Sequence, residues 1–285
     1  MQWWLNLSFL DVAHYVPLAE VAEESGFEGV VVSDHLITPD VLSSSYPYGP
    51  GGATRWPDDT MWPDCWVAIT AMAARTERIR FATAIHIAPL REPIALAKAV
   101  STASAFAGGR VACGFGTGWM TEEYDAVGVP FAGRAARLDE QLEVMKALWT
   151  GELIEHHGRH YDFGPVRMLP RPVGQVPIYI GGHSDAALRR AVRHDGWIAA
   201  HQSPDTTVAD LGRLEAQLRE AGRERADYHV LTTVSRRRHL ADADVLEHAG
   251  VDAIAVPVAL IGQDPDLDAR IDAVRRFAAE RPGRP

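Results

Sequence analysis

Two residues able to exchange protons, Asp34 and His35, follow directly on the apolar run Val30-Val31-Val32 and Ser33. A β-branched run of this length reads as a strand buried on both faces, so the pair falls where that strand ends. In a parallel α/β barrel the carboxyl ends of the strands form the rim on which reacting groups sit. Asp34 and His35 are therefore candidates for proton transfer, with His35 as the acid/base, histidine being the residue type suited to proton exchange at neutral pH, and Asp34 as the carboxylate that orients it. The same letters also fit a structural reading, because an Asp side chain accepts backbone N–H bonds as a turn or helix cap.

Two glycine-rich segments fall at further strand ends. Gly114-Phe115-Gly116-Thr117-Gly118-Trp119 leads into Thr121-Glu122-Glu123, a helix-start pattern. Glycines at alternate positions let backbone N–H groups approach a ligand, and a following helix N-terminus favours an anion. The segment lacks the third glycine of a dinucleotide fingerprint at the required spacing. In Ile180-Gly181-Gly182-His183-Ser184-Asp185, Ser184 or Asp185 can cap the next helix, or the N–H groups beside the glycines can hold a phosphate. A third strand ends Ala82-Thr83-Ala84-Ile85-His86-Ile87, where small residues let a flat ring lie against the backbone. His86 then either faces the same rim as His35 or is a hydrogen-bonded structural histidine. His156, His157 and His160 lack the Cys or carboxylate pattern of a zinc site, and no metal is assigned.

The elements that must position these residues alternate along the chain. Apolar runs predict strands at Trp3–Phe9, Gly29–Ser33, Ile79–Ile85, Val111–Phe115, Pro177–Gly181, Gly196–Ala200, His229–Val234 and Ala253–Val258. Helical patterns lie between them at Tyr15–Ser25, Trp66–Arg75, Ile94–Ala107, Arg134–Trp149, Asp185–Arg193, Val208–Ala221 and Asp242–Ala249, with Leu267–Ala279 last. Gly26, Gly108-Gly109, Gly222 and Gly250 each follow a helical stretch and read as helix stops. Eight such alternations fit a (β/α)8 TIM barrel, an α/β fold, as one domain over residues 1–285. Two segments, about 36–64 and 152–165, are insertions at the C-terminal face of the strands. The first carries Tyr46, Tyr48, Trp56, Met61 and Trp62, reads as a lid over the rim, and has a self-packed surface loop as its alternative. The second reads as a hairpin turning at Gly158.

Composition narrows the partners. With 47% hydrophobic residues the chain can bury a sizeable core, and 38 acidic against 28 basic side chains give a formal charge of −10 that repels phosphate backbones. Nucleic acid and membrane are thus not expected partners, and a small molecule is. Two cysteines, Cys65 and Cys113, are too few for a disulfide framework, and a cytoplasmic setting is the default expectation.

The order and spacing of Gly26–His35, Ala74–Thr83, Gly108–Val111 with Gly114–Trp119, Arg134–Glu140, Ala147–Gly151 and Pro177–Ser184 carry a resemblance over nearly the whole chain. It is to the luciferase-like flavin and deazaflavin oxidoreductases, and among them the coenzyme F420-dependent branch. The resemblance implies a (β/α)8 barrel with a flavin-like ring at the strand ends, resting on a non-proline cis peptide at Ala84–Ile85. It implies Asp34 at the cofactor and His35 as acid/base or cofactor contact. Gly116, Thr117 and Gly118 would line the ring, Gly181, Gly182, His183 and Ser184 would lie near its phosphate, and the chain would form a homodimer.

One departure matters: the family's sugar-phosphate dehydrogenases carry a glutamate where this chain has Trp119, and their phosphate-binding lysines have no match. Trp62, His86, Trp119 and Met120 then predict a pocket for a small, partly apolar organic substrate. The expected reaction is hydride transfer between coenzyme F420 and that substrate. An FMN-dependent monooxygenase using reduced flavin and oxygen is the alternative on the same barrel, and a non-catalytic flavin- or deazaflavin-binding protein is the third reading.

Overall fold

The structure, a computed structural model, describes residues 1–54 and 56–281. In chain order its first half contains β1 (Gln2–Asn6), α1 (Tyr15–Glu24), β2 (Gly29–Val32), α2 (Cys65–Ala73), β3 (Arg80–Thr83), β4 (His86–Ile87), α3 (Pro93–Phe106), β5 (Val111–Gly116), α4 (Thr121–Ala126) and α5 (Arg134–Trp149). There follow β6 (Ile154–His157), β7 (Asp162–Val166), β8 (Ile178–Gly181), α6 (Asp185–Ala191), β9 (Gly196–Gln202), α7 (Pro204–Glu220), β10 (His229–Val234), α8 (Ala243–His248), β11 (Ala253–Pro257), α9 (Val258–Ile261) and α10 (Leu267–Glu280).

Parallel pairing runs β3-β2-β1-β11-β10-β9-β8-β5-β4, and β3 also pairs with β5, so the sheet closes on itself. With β3 and β4 counted as two pieces of one strand, this is the eight-stranded (β/α)8 barrel. Strand alternation sends Trp4, Val31, Ala82, Tyr179 and Ile198 into one buried cluster within the barrel. Val30, Phe81, Val111, Ile180 and Val256 go into the other, with Leu18, Ile69 and Leu142 of the surrounding helices. Size is matched across strands inside the barrel: a Cβ at Gly29 would fall 2.3 Å from the Trp4 ring.

The strand expected at Ile79–Ile85 is interrupted, and the reason is local. Phe81 and Ala82 pair with Val111 and Ala112, and pairing resumes with His86 and Ile87 opposite Phe115 and Gly116. Thr83, Ala84 and Ile85 thus stand opposite only Cys113 and Gly114, which makes a one-residue bulge containing the cis peptide Ala84–Ile85. The Thr83 hydroxyl donates to Gly114 O at 2.8 Å and accepts from Gly114 N–H at 3.0 Å, replacing the missing ladder. A Cβ at Gly114 would lie 1.9 Å from Thr83 O, so only glycine allows this approach.

Other boundaries shift for equally local causes. β1 stops at Asn6, not Phe9, because the Asn6 side chain takes bonds from Ser8 N–H and Oγ–H and Phe9 turns left-handed at φ 68°. The seventh helix begins at Pro204, before the expected Val208, because Ser203 caps it. The segment after α5 forms the antiparallel β6–β7 hairpin, turned where Gly158 N–H donates to Tyr161 O. Among the described residues no helix is long and apolar enough to cross a membrane.

Candidate active site

The carboxyl ends of the strands open into a cavity of about 810 Å³, within the range of small-molecule and cofactor sites. Its floor is the bulge. Ile85 rises between the ends of two neighbouring strands, and each must be glycine there: a Cβ would meet the Ile85 side chain at 2.2 Å from Gly116 and 2.7 Å from Gly181. Ala84, Thr117 and Gly118 extend this surface, and Gly182, His183 and Ser184 line its far end. The Trp197 indole N–H donates to Gly182 O at 2.8 Å, and His183 is braced by Asp210 at 3.1 Å. The Ser184 hydroxyl accepts from Ala187 N–H and caps α6. Arg190, on α6, stands at this end locked on Asp139, and Arg134 lines the cavity where it donates to Gly118 O.

Asp34 and His35 both reach the cavity, but not as a pair. Consecutive residues on extended backbone point apart, and each finds its own partner. Asp34 receives both Arg91 terminal nitrogens, at 2.6 and 2.7 Å, and Ile87 N–H at 2.9 Å. Burial opposes its charge, and His86, Arg91 and Ile87 N–H outweigh burial, so its carboxyl is held below the usual range. The expected orienting role of Asp34 toward His35 is thus corrected: Asp34 anchors the backbone just beyond the bulge, and another carboxylate orients the histidine.

That carboxylate is Glu123, on the first turn of α4 and fully buried. His35 Nδ1–H donates to Glu123 Oε2 at 3.1 Å, while Glu123 Oε1 accepts from Leu36 N–H at 2.6 Å. With Nδ1 committed, Nε2 is the ring nitrogen open to the cavity that His35 lines. The next residue along, Glu122, holds the 36–64 loop by accepting from Ser43 N–H, Ser43 Oγ–H and Ser44 N–H at 2.6–3.0 Å. Burial works against its charge, and these serine hydrogen bonds bring its carboxyl down to about 2. The loop so held sets Tyr46, Trp56 and Trp62 onto the cavity, as the lid reading expects.

Two expected pocket residues do not line it. His86 is wholly buried against Trp66 and Phe115, because β4 turns it out of the barrel toward the helix layer. Met120 is buried behind Trp119, whose ring takes the rim instead. His86 Nδ1 lies 3.3 Å from Asp34 Oδ2 without hydrogen-bond geometry, and neither ring nitrogen has a partner. Burial pushes its pKa down from 6.5 to about 4. An unfolded chain therefore binds this proton near pH 6.5 and the folded one only near pH 4. The stabilisation is complete above pH 6.5 and is lost as pH falls toward 4, by up to about 1.4 kcal/mol per pH unit. Melting temperatures between pH 7.5 and 4.5 should show a shallower acid decline in His86→Leu than in the parent protein.

Glu123, Arg91 and Phe9 are site residues that the sequence reading did not single out. Glu123 sat unremarked in an acidic first turn, where helices commonly carry acids, and Arg91 lies 57 positions from its partner. Phe9 lines the cavity from the turn after β1. A phenylalanine with positive φ is a backbone outlier, held here by stacking on Trp56 at 5.4 Å and an edge contact with Trp62 at 5.5 Å.

The barrel coincides with what comparison with known proteins finds. The model of the luciferase-like monooxygenase family matches residues 8–256. The chain belongs to this family. An uncharacterised protein of Mycobacterium tuberculosis is 34% identical over 273 residues, 94% of each chain. An F420-dependent glucose-6-phosphate dehydrogenase of Nakamurella multipartita is 32% identical over 213 residues, 72% of this chain and 58% of its own. In fold, the crystal structure of monooxygenase RslO1 from Streptomyces bottropensis superposes with a TM-score of 0.79 at 20% identity over 98% of each chain. This luciferase-like barrel thus has relatives that use a deazaflavin and structural neighbours that are oxygenases.

Proposed function

We propose that the chain is a coenzyme F420-dependent oxidoreductase that moves a hydride to or from a small, partly apolar organic substrate, with His35 as its acid/base. The observation that carries the reading is the Glu123–His35 arrangement, which offers one imidazole nitrogen to a cavity floored by the Ile85 bulge. The residues fit a tricyclic ring: glycine at 116 and 181 leaves Ile85 as a raised, side-chain-only support, and a Cβ at either position would displace it. Gly182, His183 and Ser184, with Arg190 of the following helix near them, suit the ring's phosphate-bearing chain.

When bound, the deazaflavin supplies the hydride-carrying carbon. The protein's own tasks are position and the proton. In the reducing direction His35 Nε2–H donates to the substrate oxygen as its carbon takes the hydride, and in the oxidising direction the neutral nitrogen accepts that proton. Glu123 keeps the imidazole in the tautomer and orientation that permit either. Tyr46, Trp56 and Trp62 of the loop keep water from the reacting atoms.

The 32% identity to an F420-dependent dehydrogenase supports this cofactor. The superposition on a monooxygenase favours the second reading, an FMN-dependent oxygenase. Titration of the purified protein with coenzyme F420 and FMN at one salt concentration, followed by ring fluorescence, separates them. Tight F420 and weak FMN binding is the expected result, and the reverse preference overturns it. F420 binding without redox change across alcohols, enones and imines would leave a binding protein in place of an enzyme.

A further inference from the structure

In the cavity wall, His35 is enclosed by rings drawn from three separate segments. Its imidazole lies 5.1 Å from Trp56, 4.7 Å from Trp62 and 5.9 Å from Trp119, centroid to centroid. Phe9 closes the box against Trp56 and Trp62, and Tyr46 closes it against Trp56 and Trp119 at 5.1 and 5.2 Å. The acidic, basic and histidine side chains that line the cavity are Asp34, His35, His183, Arg134 and Arg190. Asp34 is neutralised by Arg91, Arg190 is held by Asp139, and Arg134 is stacked 3.7 Å over Phe131 while it donates to Gly118 O. No lysine lines the cavity among the described residues.

We infer that the substrate is an uncharged, ring-bearing carbonyl compound or the corresponding alcohol, whose ring packs against the cavity side of the Phe9–Trp56–Trp62–Trp119 wall and whose oxygen meets His35 Nε2. The inference rests on the proposed hydride transfer and specifies the substrate of that same site. A phosphate group against this wall would lose its hydration with only aromatic rings and the His35 imidazole to replace it, which disfavours phosphorylated sugars. A planar or alicyclic ring gains stacked and edge contacts with several faces at once, and an acyclic substrate of few atoms does not.

Phe9 supplies a variant whose effects on folding and binding separate. Phe9→Gly removes the ring and also relieves the left-handed backbone, so its melting temperature tells whether a loss of ligand affinity comes with a loss of fold. The experiment is calorimetric titration of F420-loaded protein with benzamide, an aromatic amide that is not reduced, with acetamide, and with glucose 6-phosphate, accompanied by melting curves. Benzamide is expected to bind at least roughly tenfold more tightly than acetamide, and glucose 6-phosphate not to compete with it. Phe9→Gly should lose most of that preference at an unchanged or raised melting temperature, and Trp62→Leu should lose it too. Equal binding of the two amides, or glucose 6-phosphate displacing benzamide, overturns the inference. Should the protein fail to load F420 while still preferring benzamide in a Phe9-dependent way, the cofactor assignment falls and the ring-binding box stands.

Discussion

His35→Ala should turn over roughly 10²–10⁴-fold more slowly than the parent enzyme while binding coenzyme F420 with nearly unchanged affinity. The size reflects loss of a positioned proton donor and acceptor, and the split reflects geometry. His35 faces the cavity from the lid side, whereas the floor and the phosphate end are built from Ile85, Gly116 and Gly181 to Ser184. Glu123→Gln is the companion variant. Its amide keeps the volume and can still accept from Leu36 N–H, but it no longer fixes the imidazole as a carboxylate does. Its turnover should fall less than that of His35→Ala, with an altered pH profile. Stopped-flow measurement of the hydride step against fluorescence titration of the cofactor reads both quantities. Unchanged turnover in His35→Ala would remove the histidine from the chemistry.

The second large effect is on stability. Arg91→Ala leaves the Asp34 carboxylate buried with Ile87 N–H as its remaining strong donor. Removing one partner of such a buried pair costs about 3–5 kcal/mol. Arg91→Lys should recover only part of this, because an ammonium cannot donate to both carboxylate oxygens from one planar fork. Adding Asp34→Asn to Arg91→Ala should restore stability, since the cost lies in an uncompensated charge. Denaturant titration of the three variants tests the order, and a full rescue by lysine would contradict it. Because Asp34 also accepts from the first backbone N–H after His86, the unrescued variant should bind cofactor more weakly as the floor loses its anchor.

The barrel was legible because its cause is periodic. Buried parallel strands are short apolar runs, helices carry amphipathic faces, and neither depends on distant partners. Arg134–Trp149 and His229–Val234 fall where the patterns place them. The bulge was legible only through family resemblance, since the register slip arises from Thr83 engaging Gly114 across two strands. The site was half legible. Residues at strand ends announce themselves by type and place, and Asp34, His35, Gly116 and Gly181 all reach the cavity. Which carboxylate serves which base was not, because Asp34 is adjacent to His35 in sequence while Glu123 is 88 positions away and meets it only across the fold. The same limit misplaced His86 and Met120, whose faces are set by the slip after the bulge and by the turn into α4.

The two acids that open α4 have opposite loyalties. Glu122 grips the lid through three hydrogen bonds, and Glu123 steers the histidine. A lid that swings away while α4 stays put must surrender all three bonds, and one that carries α4 with it draws Glu123 off His35. The hold on the loop and the orientation of the His35 ring are thereby tied to a single helical turn, so opening the cavity either breaks the three bonds or frees the imidazole.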